Sequence, residues 1–470
     1  MSIDEALKNA TDTKACLIGD GVVAQAPEVF RAQFPGKAAA IIIADPRTWK
    51  AAGEKVAALL TDAGVAVAKH IVEPGGKVFH AEYHYVVDVR AAIEQGAVMP
   101  RREGAAETAI GQSEQSNDST NRSLLPVPVA IGSGVINDLT KRASGELGIP
   151  YMVVATAASV DGYSSFGAAL VSPEGAKQTY PCPAPRAIIA DLDILRTAPR
   201  EMAAYGFADL LAKLPAGADW ILAAEIGATE WDDVAWHIVQ DGIPEATKDA
   251  EGVARGESGA LARFVEGLMM SGFAMQAMQS SRPASGAEHM FSHILDMTHH
   301  TYRGELVSHG AQVGVYTLFM TRFFEELLKF DMASLDVEKC VAEWQEWDEG
   351  GEALARRTFA GTNFPNLGVE QSKPKWQTKD ELRAMLTDMK ARWPQIKARI
   401  ERQLVPSAEL ARRLKAVGSP ASPAEIGAAD DFAVKNILFA MLMRNRYNSL
   451  DFTFRLGKLF DFAKAAAGLG

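Results

Sequence analysis

Two textures divide this 470-residue chain, and the change between them near residues 190–200 restricts the fold more than any other feature. Before it, short apolar runs alternate with amphipathic stretches. Ala38–Ala44 (AAAIIIA) ends at Asp45-Pro46, and Val65–Ile71 follows a helical stretch whose apolar positions are Ala51, Val56, Leu59 and Leu60 and which stops at Gly64. Val127–Ile131, Pro150–Ala155 and Ala187–Ala190 continue the strand series, with Val86–Ile93 and Leu139–Leu147 helical between them. Short β-branched runs separated by helical periods are βαβ units, and parallel strands need such crossovers, so the rhythm predicts a parallel sheet covered by helices. After residue 197 strand signals almost vanish, and helical patterns run from about 200–214 to 429–464. The expected architecture is an α/β, Rossmann-like domain over 1–195 and an all-α domain over 196–470. Residues 96–123 are polar, small and aperiodic and read as a mobile insertion, with Arg101, Arg102 and Arg122 in a solvated loop. The charged stretch Lys379–Leu404 reads as a helix with a solvated face.

Charge and cysteine content exclude some functions. The 48 Lys and Arg against 59 Asp and Glu give a net charge of −11, which argues against a nucleic-acid partner held by a basic face. A local positive pocket for a small anion stays open. Cys16, Cys182 and Cys340 are widely spaced and read as free thiols in a reducing compartment. Asp4, Glu5 and Asp12 interrupt the first 20 residues, so no signal peptide is expected. No apolar run reaches the roughly 20 residues of a membrane span. These features together predict a cytoplasmic enzyme.

Three stretches carry chemistry. Ser281–His309 holds His289, His293, His299, His300 and His309, five of the nine histidines, and a helical reading sets His289 and His293 one turn apart on one face. Such a cluster makes a metal site if a carboxylate joins it, and Asp209 in the run GFADLLAK (206–213) is the best candidate. Hydrogen-bonded core histidines are the competing reading. Gly132-Ser133-Gly134 lies between a strand and a helix, where backbone amides cradle a pyrophosphate, although Asn137 stands at the third glycine of the full dinucleotide fingerprint. The next strand ends in the small, hydroxyl-rich loop 156–165. Asp45 closes a strand, where an acid binds ribose hydroxyls and disfavours a 2′-phosphate; Arg47 works against that, and Asp45-Pro46 is equally a turn.

Four blocks in this order resemble the iron-alcohol-dehydrogenase/dehydroquinate-synthase superfamily. They are GSGVIND (132–138), TAASVDGYSS (156–165), GFADLLAK (206–213) and SRPASGAEHMFSH (281–293) with SHG (308–310). Within it the chain most resembles sn-glycerol-1-phosphate dehydrogenases of the bacterial branch, over about residues 15–330, with a helical extension behind. The resemblance implies a dehydroquinate-synthase-like fold with the active site in a cleft between its two domains. It implies a divalent metal, zinc or nickel, held by Asp209, His289 and His309, with His293 and Asp161 touching substrate. Gly132, Ser133, Gly134, Asp138, Thr156, Ser159 and Ser165 would contact NAD(H) or NADP(H). The implied reaction is reduction of dihydroxyacetone phosphate to sn-glycerol 1-phosphate, and the resemblance makes a homodimer the expected assembly, although no interface signature stands out in the sequence.

The chain departs from the pattern in places. Lys213 stands four residues after Asp209, where iron-type alcohol dehydrogenases carry a histidine ligand, leaving three protein ligands and an open position. An aspartate at 209, where dehydroquinate synthases carry glutamate, counts against the lyase. The family's GGG turn is GSG, and Val135 replaces a common Ser or Thr. Lys213, Arg282 and Arg303 are the basic residues nearest the site in sequence and stay unranked as phosphate partners. A dehydrogenase of another polyol, a dehydroquinate-synthase-type lyase and a non-catalytic binding protein remain open.

Overall fold

A computed structural model describes residues 1–75, 79–96, 124–173 and 177–469; apart from Gly96, the insertion expected at 96–123 lies outside them. Among the described residues eight strands precede residue 192: β1 (Ala15–Gly19), β2 (Ala39–Ala44), β3 (Ala66–Ile71), β4 (Val127–Gly132), β5 (Met152–Ala155), β6 (Ala168–Val171), β7 (Lys177–Tyr180) and β8 (Ala187–Asp191). Six of them form one all-parallel sheet in the order β1-β8-β5-β4-β2-β3. The apolar runs explain its layout. β4, β5 and β8 are buried along their whole length, as interior parallel strands covered on both faces must be, whereas β3 at the edge has only exposed and half-buried residues.

The connections fix where a ligand sits. From β2 the chain passes to β3 on one side, and from β4 to β5 on the other, so the direction of winding reverses between β2 and β4. Loops leaving the carboxyl ends of strands at such a reversal diverge and leave a crevice. The register places Ala44 opposite Ile131 and Gly132 opposite Ala155. Asp45, Ser133 and Thr156 therefore begin three neighbouring loops on the carboxyl edge.

β6 and β7 form an antiparallel hairpin, a feature absent from the sequence reading. Each is four residues long, and AALV and KQTY carry too little alternation to register as strands.

The chain divides into two compact units, Met1–Ala203 with Arg255–Gln279, and Ala204–Ala254 with Ser280–Gly470. The helix Ser258–Met278, which the sequence reading put with the helical domain, thus groups with the sheet. Its periodicity shows that it is buried but not against what. The docking residues are Gly272 and Gln276. A Cβ on Gly272 would stand 2.0 Å from Ser164 Oγ, so only glycine lets the helix approach the 156–165 loop. Gln276 Oε1 accepts from the amides of Asp12 (3.0 Å) and Thr13 (3.2 Å), and its Nε2 donates to Thr13 Oγ1 (2.8 Å).

In the second unit the helices Ala287–Met297 and His309–Lys329 pack on each other, with Phe291 stacked on Tyr316 at 5.1 Å. The charged helix Lys379–Gln403 starts with a Thr378–Glu381 capping box and buries one stripe, Leu382, Leu386, Met389, Trp393, Ile396 and Ile400, at helical spacing. Among the described residues no helix is long and apolar enough to cross a membrane.

Gly272→Ala is expected to destabilise the protein by about 1–3 kcal/mol, since neither the loop backbone nor the helix yields easily. Urea unfolding followed by tryptophan fluorescence measures this; an unchanged midpoint would mean the helix is not seated there.

Candidate active site

Asp209 lies near the end of the helix Arg200–Leu211, His289 in the first turn of Ala287–Met297, and His309 at the start of His309–Lys329. Each offers one ligand atom, and these atoms lie within 4.8 Å of one another. Small residues make the approach possible. A Cβ on Gly310 would meet Tyr205 O at 2.3 Å, and one on Gly314 would meet Ala208 Cβ at 2.9 Å. The His309 helix thereby lies directly on the Asp209 helix.

Neighbouring groups fix the tautomers. Glu288 Oε1 is 2.7 Å from His289 Nδ1 and also accepts the Gly286 amide at 2.7 Å. A carboxylate accepts, so His289 carries a proton on Nδ1 and turns Nε2 inward, 3.5 Å from Asp209 Oδ1. Ser292 does the same for His309. Its hydroxyl donates to Gln312 Oε1 (2.7 Å) and so accepts from His309 Nδ1 (3.0 Å), leaving Nε2 inward. Gln312 is oriented in turn, its Nε2 donating to Val307 O at 3.0 Å.

The donor set, one carboxylate and two imidazole Nε2 atoms in a largely buried pocket, fits a borderline divalent cation with a coordination position to spare. Lys213 stands beside it, Nζ 2.7 Å from Asp209 Oδ1, with both side chains buried. Burial by itself raises the Asp209 carboxyl, but Lys213, His289 and His309 outweigh it and hold the group well below the usual carboxylate range. Burial likewise lowers His289, and its contacts with Asp209 and Glu288 raise it further than that. Both shifts express a site built around opposite charges, where an incoming cation must displace protons.

His293 joins the cluster, its ring centroid 6.4 Å from those of both His289 and His309. His299 and His300 do not: His300 Nε2 bonds Ile426 O at 2.7 Å, and His299 sits in a left-handed turn with φ 49°. Of the basic residues considered for a phosphate, Lys213 is paired with Asp209. Arg282 donates to Tyr447 O at 2.9 Å, and Arg303 is exposed in a turn over the Tyr302 ring. Sequence reasoning missed Glu288, Ser292 and Gln312, although the first two adjoin site histidines. It also missed Arg444, whose Nη2 is 3.4 Å from His293 Nε2.

The loops proposed for a dinucleotide lie in the first unit. Gly132 is required by packing, because a Cβ there would stand 2.4 Å from Ile136 Cβ. Ser133 is the N-cap of the helix Gly134–Leu147 but makes no side-chain cap, so the amides of the first turn face the crevice without a capping oxygen. Asn137, at the fingerprint's third glycine, ties the two loops together. Its Nδ2 donates to Gly162 O (3.2 Å) and its Oδ1 accepts from Tyr151 (3.0 Å). The fully buried Lys141 donates to Gly162 O (2.8 Å) and Gly167 O (3.0 Å).

The remaining loop residues make protein contacts of their own. Asp138 accepts the Ala169 amide of β6 at 3.3 Å. Thr156 donates its amide to Gly132 O (3.1 Å), Ser159 lies near enough to the Tyr163 phenol to lower it against the rise from burial, and Ser165 donates to Gly162 O (3.2 Å). Asp161 Oδ2 accepts from Ser271 at 2.8 Å. Asp45 Oδ1 caps the turn Pro46–Thr48, accepting from Arg47 N (2.7 Å) and Thr48 N (3.0 Å), at the strand end next to Gly132. The structure thus gathers Asp45, Gly132, Ser133, Gly134 and Thr156 on the carboxyl edge of the sheet, and the triad with His293 in one cluster of the second unit.

A profile of the family described as iron-containing alcohol dehydrogenase matches residues 79–199. A glycerol-1-phosphate dehydrogenase (NAD(P)+) of Bacillus licheniformis is 29% identical over 75% of this chain and 82% of its own length. The protein of that name from Bacillus subtilis is 35% identical over 53% of this chain, a match spanning only 64% of the relative. Among solved structures, a glycerol dehydrogenase from Schizosaccharomyces pombe superposes with a TM-score of 0.58 at 15% identity, covering 98% of this chain and 92% of that one, a likeness of fold.

Two outcomes are expected. Glu288→Gln should weaken divalent-metal affinity by roughly 10–100-fold with the fold intact, measured by competition with a chromogenic chelator; undiminished affinity would remove Glu288 from the site. Asp219 supports the same helix from below, accepting the Ala287 amide at 2.7 Å, and burial followed by Glu288 raises its carboxyl to about 6 from 3.8. In the unfolded chain it ionises first, so its contribution is full below pH 4 and is lost as pH rises through 6. The loss is roughly 3 kcal/mol. Urea midpoints between pH 4 and 7 should show this component in the parent and not in Asp219→Asn; identical profiles would contradict it.

Proposed function

We propose that this chain, a member of the iron-containing alcohol dehydrogenase superfamily, reduces dihydroxyacetone phosphate to sn-glycerol 1-phosphate by reversible, metal-dependent hydride transfer from NADH or NADPH. The observation that carries the reading is the triad of Asp209, His289 and His309 within 4.8 Å, with Lys213 in place of a fourth ligand. The glycerol-1-phosphate dehydrogenases matched above supply the substrate.

Zinc or nickel, bound there, acts as a Lewis acid on the substrate carbonyl. Asp209 would offset part of the cation's charge, while Glu288, and Ser292 with Gln312, hold the two imidazoles with Nε2 aimed inward. The Gly132–Gly134 turn and the 156–165 loop hold the dinucleotide, and Asp45 takes a ribose hydroxyl through the oxygen not used in capping. A dinucleotide held there would supply the hydride to the carbonyl carbon, and the carbonyl oxygen would take a proton from the protein. His293, one turn from His289, supplies or relays that proton, and Asp161 orients the substrate hydroxyl. The reading takes the protein to work in the cytoplasm as a homodimer on a small phosphorylated ketone.

The test is NADH oxidation with dihydroxyacetone phosphate by metal-stripped protein, with zinc or nickel restored, beside Asp209→Ala and His293→Ala. Oxidation should require metal and fall below detection in Asp209→Ala. In His293→Ala turnover should drop by roughly 100-fold with metal content unchanged. Metal bound without any oxidation would contradict the proposed substrate.

A further inference from the structure

We infer that Arg444 is the phosphate-binding residue of this site, so that the segment 443–448 near the end of the chain sets the preference for a phosphorylated substrate. The inference rests on the reading above only in naming that substrate; the anion site itself rests on geometry.

The segment is pinned on both sides of Arg444. Asn445 N donates to Gln371 Oε1 at 2.9 Å. Arg446 donates to Ser285 O and Ser281 Oγ, each at 2.5 Å, and Tyr447 O accepts from Arg282 at 2.9 Å. Arg282 and Arg446 thus satisfy protein oxygens and lock 443–448 onto the loop that precedes the His289 helix. Arg444 is turned the other way. Its hydrogen bond among the described residues is to His293 Nε2 at 3.4 Å, and no carboxylate of those residues lies within ion-pair distance.

That contact makes poor use of a guanidinium. A neutral imidazole nitrogen accepts one hydrogen bond, whereas arginine carries five N–H donors in a planar fork shaped for oxyanions. Burial pushes the Arg444 guanidinium down with no acidic group to oppose it, whereas Glu288 and Asp219 oppose the effect of burial, Arg282 and Arg444 on Arg446, and Asp219 and Asp451 do so for Arg282. Of the three arginines only Arg444 has no acidic partner among the described residues, and a largely buried guanidinium in that position is costly unless an anion joins it.

The spacing suits a short substrate. His293 lies 6.4 Å, ring to ring, from each imidazole of the triad, and Arg444 lies against His293. A three-carbon chain separates its carbonyl oxygen from its phosphate by about 5 Å on ordinary bond lengths. A carbonyl at the triad therefore brings the phosphate toward Arg444, with His293 beside the carbon between them. An unphosphorylated polyol would leave the guanidinium unanswered, so the site discriminates by the group it lacks.

The test uses full-length, metal-loaded protein, with Arg444→Gln and Arg444→Lys. Inorganic phosphate is the calorimetric probe, and dihydroxyacetone phosphate and dihydroxyacetone are the kinetic pair. Arg444→Gln should keep its metal, lose phosphate binding, and raise KM for the phosphorylated ketone by roughly 100-fold; Arg444→Lys should fall between. Phosphate binding and KM equal to the parent's would overturn the assignment, as would loss of metal in both variants, which would mark Arg444 as structural. Phosphate binding that depends on Arg444 in a parent inactive on dihydroxyacetone phosphate would uphold the anion site and refute the proposed substrate instead.

Discussion

The hydrogen bond from His289 to Glu288 is the contact on which the candidate site depends. It decides which imidazole nitrogen keeps its proton and which faces Asp209. Without it His289 is a buried ring free to adopt either tautomer, and the triad is three polar groups that happen to be close. Glu288 makes this contact at a cost. Its side chain is fully buried, its Oε2 finds no hydrogen-bond partner among the described residues, and it sits near enough to Asp219 to raise that acid. A buried carboxylate oxygen left unpaired costs about 1–3 kcal/mol or more. Positioning a ligand accounts for a cost that packing alone would remove.

The backbone around the site is shaped by the same demand. Gly286, Gly310 and Gly314 each stand where a Cβ would strike a neighbour, at 2.7 Å from Asp219 Oδ2, 2.3 Å from Tyr205 O and 2.9 Å from Ala208 Cβ. Close helix approach brings side chains from three separated stretches of sequence to one point. In the first unit Gly272 and Gln276 perform the corresponding task for the 156–165 loop, and Lys141 fixes that loop with a buried cation. Each unit thus spends its glycines and its buried polar groups on holding one site.

Much of this was legible in the sequence because strands and helices are written locally. Five of the six strands of the parallel sheet stand out as short apolar runs, and the glycine turn and the histidine cluster stand out by composition. The failures share one physical cause, which is distance along the chain. The periodicity of Ser258–Met278 showed that the helix is buried, but only Gly272 against Ser164 and Gln276 against Thr13 show what buries it. Lys213, Arg282 and Arg303 drew attention by lying near the motif in sequence, whereas Arg444 reaches His293 across 151 residues. Its one local signal is a charged Arg-Asn-Arg run after the apolar stretch Ile437–Met443. The β6–β7 hairpin failed differently, since two strands of four residues are stabilised by pairing rather than by pattern.

That Asp209, His289 and His309 hold one divalent ion is tested most directly by X-ray absorption on zinc- or nickel-reconstituted protein, with His309→Ala for comparison. The account predicts a first shell of nitrogen and oxygen at about 2.0–2.1 Å, with the outer-shell scattering of two imidazoles, reduced to one in the variant. A spectrum with no imidazole scattering, or one unchanged by loss of His309, would mean that the metal binds elsewhere and that these three residues serve another purpose.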